Sequence, residues 1–118
     1  MTVEVNEYYS VAFNIISNVG TAKSLVMEAL YAAKEGEFEL AEEKLAESKQ
    51  FFVEGHKMHA SLIQREANGE QLQFSLIFMH AEDQLMSVDT ITLLVTEMIE
   101  LYRRSKKTSL KAILKTST

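Results

Sequence analysis

The chain of 118 residues has no cysteine, no proline and only four glycines. Without cysteine it has no disulfide framework, no thiolate zinc site, no Cys nucleophile and no thiol redox chemistry. Lack of proline with so little glycine argues against a turn-rich β fold, which needs a break roughly every 8–12 residues. No apolar run approaches the roughly 18 residues of a membrane span, and the opening Met1-Thr2-Val3-Glu4 lacks the basic-then-apolar look of a signal peptide. A cytoplasmic protein is expected. What is present is 47% apolar and 25% charged residues, enough to bury a core and too apolar for disorder. The length suits one domain.

Charge is unevenly placed. The net charge is −5, from 12 basic and 17 acidic residues. All 17 acidic residues and six basic ones fall at or before Tyr102, so that body carries −11. Arg103, Arg104, Lys106, Lys107, Lys111 and Lys115 then give a tail of +6. An acidic body is a poor nucleic-acid binder, because duplex affinity needs several cations on phosphates. The tail alone could touch an anionic surface; the plainer reading is a solvated helix end whose cations suit the C-terminal dipole.

Three long helices are written in the hydrophobic period. From about Glu4 to Lys34, Tyr8, Ala12, Ile15, Val19, Ala22, Val26, Ala29 and Ala33 recur at steps of three and four. Gly20 interrupts this run as a site for a kink or a close helix approach, and Gly36 caps its end. From about Glu37 to Ala67, Phe38, Ala41, Leu45, Phe52, His59 and Ile63 form a stripe, and the charge run Glu35 to Glu47 is a solvated face. Asn68-Gly69 is a turn and cap signal. The third segment starts near Gln73–Ser75 and runs to about Lys107 or as far as Lys115. Short connections make neighbours antiparallel, so the expected fold is an all-α, up-down-up three-helix bundle. Residues 1–107 form the domain and residues 108–118 a basic C-terminal extension.

The third helix is apolar on more than one side. Leu76, Ile77, Ile91, Leu94, Val95 and Met98 lie near His80 on the helical wheel, while Phe78, Met79, Leu85, Met86 and Leu93 point elsewhere. A helix that is apolar around most of its girth needs more neighbours than two, and other copies of the chain can supply them. Within this surface sit His80, Asp83, Gln84 and Ser87 at i, i+3, i+4 and i+7, close enough for their side chains to meet. The bland reading is a hydrogen-bonded network that sets register. The functional one uses His80 as a nucleophile, its other ring nitrogen held to fix the tautomer. If copies meet at a symmetry axis, Asp83 recurs there, and clustered carboxylates must protonate or bind a cation, a hard ion such as Mg²⁺ suiting oxygen ligands. His56 and His59, at i, i+3, could share a metal, but no Glu-x-x-His occurs, so a di-iron bundle site is unsupported; packing or a hydrogen bond is the favoured role.

A set of ordered motifs carries a family resemblance. They are Asn18-Val19-Gly20-Thr21-Ala22-Lys23-Ser24, Glu28-Ala29-Leu30, Gly36-Glu37-Phe38, Glu54-Gly55-His56, Arg65-Glu66-Ala67-Asn68-Gly69-Glu70, Met79-His80-Ala81-Glu82-Asp83-Gln84-Leu85-Met86 and Ile99-Glu100-Leu101-Tyr102-Arg103. From about Val11 to Lys107 the chain resembles the enzyme IIA component of the lactose/cellobiose/diacetylchitobiose class of the bacterial phosphoenolpyruvate-dependent sugar phosphotransferase system. The resemblance implies a homotrimer with the third helix at its centre. It implies a phosphoryl group carried on His80 and a divalent cation, Mg²⁺ by its oxygen ligands, held by Asp83 on the three-fold axis. The implied partners are the histidine-containing phosphocarrier protein as donor and a Cys of the IIB component as acceptor, feeding a membrane IIC permease.

The chain departs from the family pattern His-Gly/Ala-Gln-Asp-His-Leu-Met at two positions. Glu82 replaces the Gln, and Gln84 replaces the second His, which leaves His80 as sole carrier; Gln84 and Ser87 can still donate hydrogen bonds to phosphoryl oxygens. Glu37 stands where Asp, a better N-cap, is frequent. Two other classes compete with the phosphocarrier: a non-catalytic trimeric adaptor, and a two-component histidine-phosphotransfer domain. The second usually has Lys and Gly shortly after its His, where this chain has Asp83 and Gln84. The choice among lactose, cellobiose and chitobiose belongs to the membrane component.

Overall fold

A computed structural model describes residues 5–73 and 75–116, with side chains from residue 7 onward. The expected start of the first helix at Glu4, and the last two residues of the tail, lie outside the described residues. Three helices follow in order: α1 (Val5–Lys34), α2 (Phe38–Ala67) and α3 (Leu76–Thr116). No strand element occurs among the described residues.

Ion pairs and hydrogen bonds read out the topology. Arg65 near the end of α2 donates to Glu7 near the start of α1 (2.6 Å), and Ser48 Oγ donates to the Ala22 carbonyl (2.9 Å), so α1 and α2 run antiparallel. His59 meets Glu82 and Arg103 meets Glu42, so α2 and α3 are antiparallel as well. The bundle is up-down-up, as the short connections require. α1 packs along both partners, whereas α2 and α3 touch sparingly and leave an open groove between them.

Local chemistry sets the helix boundaries. Gly36, at φ 81°, ends α1: its N–H reaches the Ala33 carbonyl and the Glu37 N–H reaches Ala32. Gly69, at φ 97°, ends α2 in the same way, through Glu66 and Arg65. Both are Schellman closures, which satisfy the last carbonyls by means of a left-handed residue. α3 begins where Ser75 Oγ accepts the Phe78 N–H at 3.2 Å, an N-cap bond. Glu37 precedes α2 without any side-chain cap bond.

The core forms two layers along one seam. One holds Ala12, Ile15, Val19, Ala22, Ala81, Leu85 and Val88. The other holds Val26, Ala29, Ala32, Ala33, Ala41, Val95 and Ile99. All eight α1 positions named from the period are buried. In α2 the buried positions are Ala41, Ser48, Gly55 and Leu62, spaced by sevens, while Phe38, Leu45, Phe52 and His59 flank them half-buried and Ile63 is exposed.

This seam also corrects the reading of Gly20. α1 runs unbroken through Gly20, and a Cβ there would have nothing within 4 Å. The close approach is at Gly55, where a Cβ would stand 2.9 Å from Val19 Cγ2. Gly55 lets α2 lie against α1, and Val19 is β-branched and fully buried, so it has little room to yield.

Candidate functional site

α3 carries two opposite faces. Ala81, Leu85, Val88, Val95 and Ile99 fill the side toward α1 and α2. On the far side, Leu76 is 83% exposed, Met86 70% and Leu101 64%, and Met79, Leu93, Leu94 and Met98 are exposed with them. This is a stripe of large apolar side chains along about seven turns of helix. Scattered exposed leucines need no explanation, but a contiguous stripe marks an interaction surface.

The sequence-based wheel treats the surroundings of His80 as one face; the structure divides them. Ile77 and Val95 turn toward the core, and Leu76, Asp83 and Leu94 turn outward. His80 itself is exposed, on the margin between the two faces. Gln84, Ser87 and Ile91, half-buried, continue that margin at steps of three and four. Among the described residues His80 makes no hydrogen bond or ion pair, so both ring nitrogens are open. A nucleophile that serves macromolecular partners needs one free ring nitrogen; the acceptor expected to hold the other is not supplied within one copy, among the described residues.

Asp83 lies at the middle of the exposed apolar stripe, itself exposed and without a hydrogen bond or ion pair among the described residues. No group of three or more possible metal ligands forms within one copy, among the described residues. An oxygen donor set on this face therefore needs Asp83 from more than one copy. Thr90 and Glu97, also exposed, share this face, and a carboxylate oxygen here has the ligand chemistry of a hard divalent cation.

Glu82 belongs to a different arrangement. It projects from the opposite margin of α3, where its Oε1 lies 2.7 Å from His59 Nε2. The His59 ring also stacks on Phe78, 6.3 Å between centroids. His59 therefore has a structural partner on α3, and His56, exposed, lies beside Phe52. The i, i+3 spacing of these two histidines does not bring a third ligand. Sequence periodicity could not find the His59–Glu82 pair, because it links two helices. Its consequence is local: the Glu82 carboxylate is held away from His80. The open α2–α3 groove, lined by Leu45, Phe52, Val53, His56, Asp89 and Thr92 among others, does not include His80. The histidine stands on a ridge accessible to another protein, not in a small-molecule cleft.

Comparisons with known proteins bear on the family and the fold. The profile of the family described as "PTS system, Lactose/Cellobiose specific IIA subunit" matches residues 10–103. The lactose-specific EIIA component of the PTS system of Streptococcus mutans is 39% identical over 78% of this chain and 88% of its own. The crystal structure of the PTS cellobiose-specific enzyme IIA from Bacillus anthracis superimposes with a TM-score of 0.83, at 37% identity, covering 85% of this chain and 92% of that one. The IIA component in the solution structures of the IIA(Chitobiose)–HPr complex of Escherichia coli has a TM-score of 0.72 at 32% identity, covering 84% and 96%. With the three-helix architecture, these matches show that the chain belongs to the lactose/cellobiose-specific IIA subunit family of the phosphotransferase system.

Proposed function

We propose that the protein is a phosphocarrier in sugar uptake. It accepts a phosphoryl group on His80 from the histidine-containing phosphocarrier protein and passes it to a Cys of the IIB component of a lactose/cellobiose-type permease with its membrane IIC component. The observation that carries the reading is the placement of His80: exposed, unpartnered, and on the margin of the apolar stripe. The relative seen in complex with HPr supports the donor.

Phosphoryl transfer asks the protein for position and charge balance more than for acid–base work. A free ring nitrogen of His80 attacks the donor phosphorus in line. Its lone pair forms the new N–P bond as the donor's N–P bond breaks, and the donor imidazole leaves with that electron pair. Transfer onward reverses the roles: a thiolate forms the S–P bond and the His80 ring leaves. Gln84 and Ser87, one and two turns along, are placed to donate hydrogen bonds to the phosphoryl oxygens.

The same proposal includes a homotrimer built on α3. Burying one exposed Leu or Met contributes about 1.5–3 kcal/mol, and each copy offers seven such side chains. His80, on the margin, then lies beside a subunit boundary and stays reachable. Three Asp83 carboxylates converge and would hold a divalent cation, Mg²⁺ by ligand hardness. When bound, the ion would balance carboxylates that otherwise repel one another and the phosphoryl group.

The test is incubation with phosphoenolpyruvate and the general phosphotransferase proteins. The wild type should gain an acid-labile, base-stable phosphate, and His80→Ala should gain none. A register-setting adaptor would gain none in either form, and that result would overturn the proposal.

A further inference from the structure

The segment after Arg103 lies beyond the family match, which ends at residue 103. It is a continuous part of α3 up to Thr116. The bundle stops beneath it. Arg103 donates to Glu42 at 2.6 Å, and the Arg103 guanidinium and Lys106 ammonium both lie over the Phe38 ring at 5.4 and 5.5 Å. Lys106 Nζ also reaches the Gly36 carbonyl at 3.5 Å. The ten residues 107–116 then overhang the end of α1 and α2 by about 15 Å.

This overhang is amphipathic. Leu110 and Ile113 are 49% and 62% exposed, on the side that faces the core lower down the same helix. Arg104, Lys107 and Lys111 form a row about a third of a turn around, continued by Lys115. No acidic residue and no aromatic residue follows Tyr102. Arg104 pairs with Glu100 at 3.5 Å. Attraction to the helix dipole accounts for a cation in the last turn, but it fades within one turn and leaves Lys107 and Lys111 unexplained.

Three occupants could cover such a face. A second copy is disfavoured. The outward stripe that suits self-association gives way after Leu101 to Ser105, Thr108 and Ala112, and Leu110 and Ile113 lie on the opposite side of the helix from that stripe. Nucleic acid would use the cations but not Leu110 and Ile113, and the overhang offers no ring for base stacking. An anionic bilayer uses both: apolar side chains enter the acyl boundary while flanking lysines extend to the headgroups.

We propose that residues 104–116 dock the protein on an anionic lipid surface. Glu35 and Glu37 on the α1–α2 connection border the same end, so the approach is oblique, with the tip of α3 leading. His80 then stands about 45 Å up α3 from Leu110, clear of the surface. The proposal concerns the overhang alone and does not depend on phosphoryl transfer.

The experiment is co-sedimentation of the full-length protein with phosphatidylcholine vesicles, with and without an equal part of phosphatidylglycerol, at about 50 mM salt. Binding is expected only with phosphatidylglycerol. Both Lys107→Glu/Lys111→Glu and Leu110→Ser/Ile113→Ser should lower it about tenfold or more, with unchanged helix content by circular dichroism. No binding to the anionic vesicles overturns the proposal. So does binding that the Leu110/Ile113 variant leaves intact while duplex DNA competes it away, which would make the overhang a general polyanion site. So does a change of oligomeric mass in that variant, which would make the face a contact between copies.

Discussion

Tyr8 is 3% exposed and packs against the Phe78 ring, 4.9 Å between centroids. Burial, the largest influence, raises its pKa above the ordinary value of 10.0; the Ser75 hydroxyl opposes this, and Glu82 and Glu66 add to it. The unfolded chain therefore loses this proton first. The stability that Tyr8 contributes is whole below about pH 10 and is lost as pH climbs through the folded value. Urea melts at about pH 9 and about pH 11 should show a smaller alkaline loss for Tyr8→Phe than for wild type; equal losses would contradict this account. The two helical glycines give a second contrast. Gly20→Ala should raise stability by about 0.5–1 kcal/mol, since nothing opposes the new methyl. Gly55→Ala should lower it by about 1–3 kcal/mol, since Val19 stands in its way. Thermal or urea melts of the pair check both signs.

At the scale of elements, the period of hydrophobic residues was legible to different depths in different helices. α1 faces both partners, so its buried seam is apolar along its length, and each of its periodic positions is in the core. The buried positions of α2 are Ala41, Ser48, Gly55 and Leu62; the stripe read from Phe38 to Ile63 includes Ala41 but passes over Ser48 and Gly55, which lack hydrophobic bulk, and Leu62, so it sits to one side of the true seam. Cap signals read well because they are local: Gly36, Gly69 and Ser75 each act within one turn. The His59–Glu82 pair has no local signature at all. The helix starts can be tested directly. Ser75→Ala should cost about 1 kcal/mol by removing the bond to the Phe78 N–H. Glu37→Asp, at a start that lacks a side-chain cap, should gain a few tenths to about 1 kcal/mol. Chemical denaturation of both variants measures the difference.

For the whole molecule, the surplus of apolar surface on α3 was visible in sequence, and its division into a core face, an outward stripe and a margin bearing His80 was not. That division depends on where α1 and α2 lie, which no single helix encodes. If the outward stripe joins three copies, sedimentation at micromolar concentration should give a trimer, and Leu94→Glu should disperse it. Asp83→Leu should abolish bound divalent cation, read by metal analysis, while leaving the trimer intact or more stable, because apolar packing replaces a cluster of carboxylates. The central claim is the assignment of phosphoryl carriage to one of the three histidines in the chain. Fragmentation mass spectrometry of protein phosphorylated from phosphoenolpyruvate, under conditions that preserve phosphohistidine, should place the group on His80. A phosphoryl group found on His56 or His59 would contradict the account.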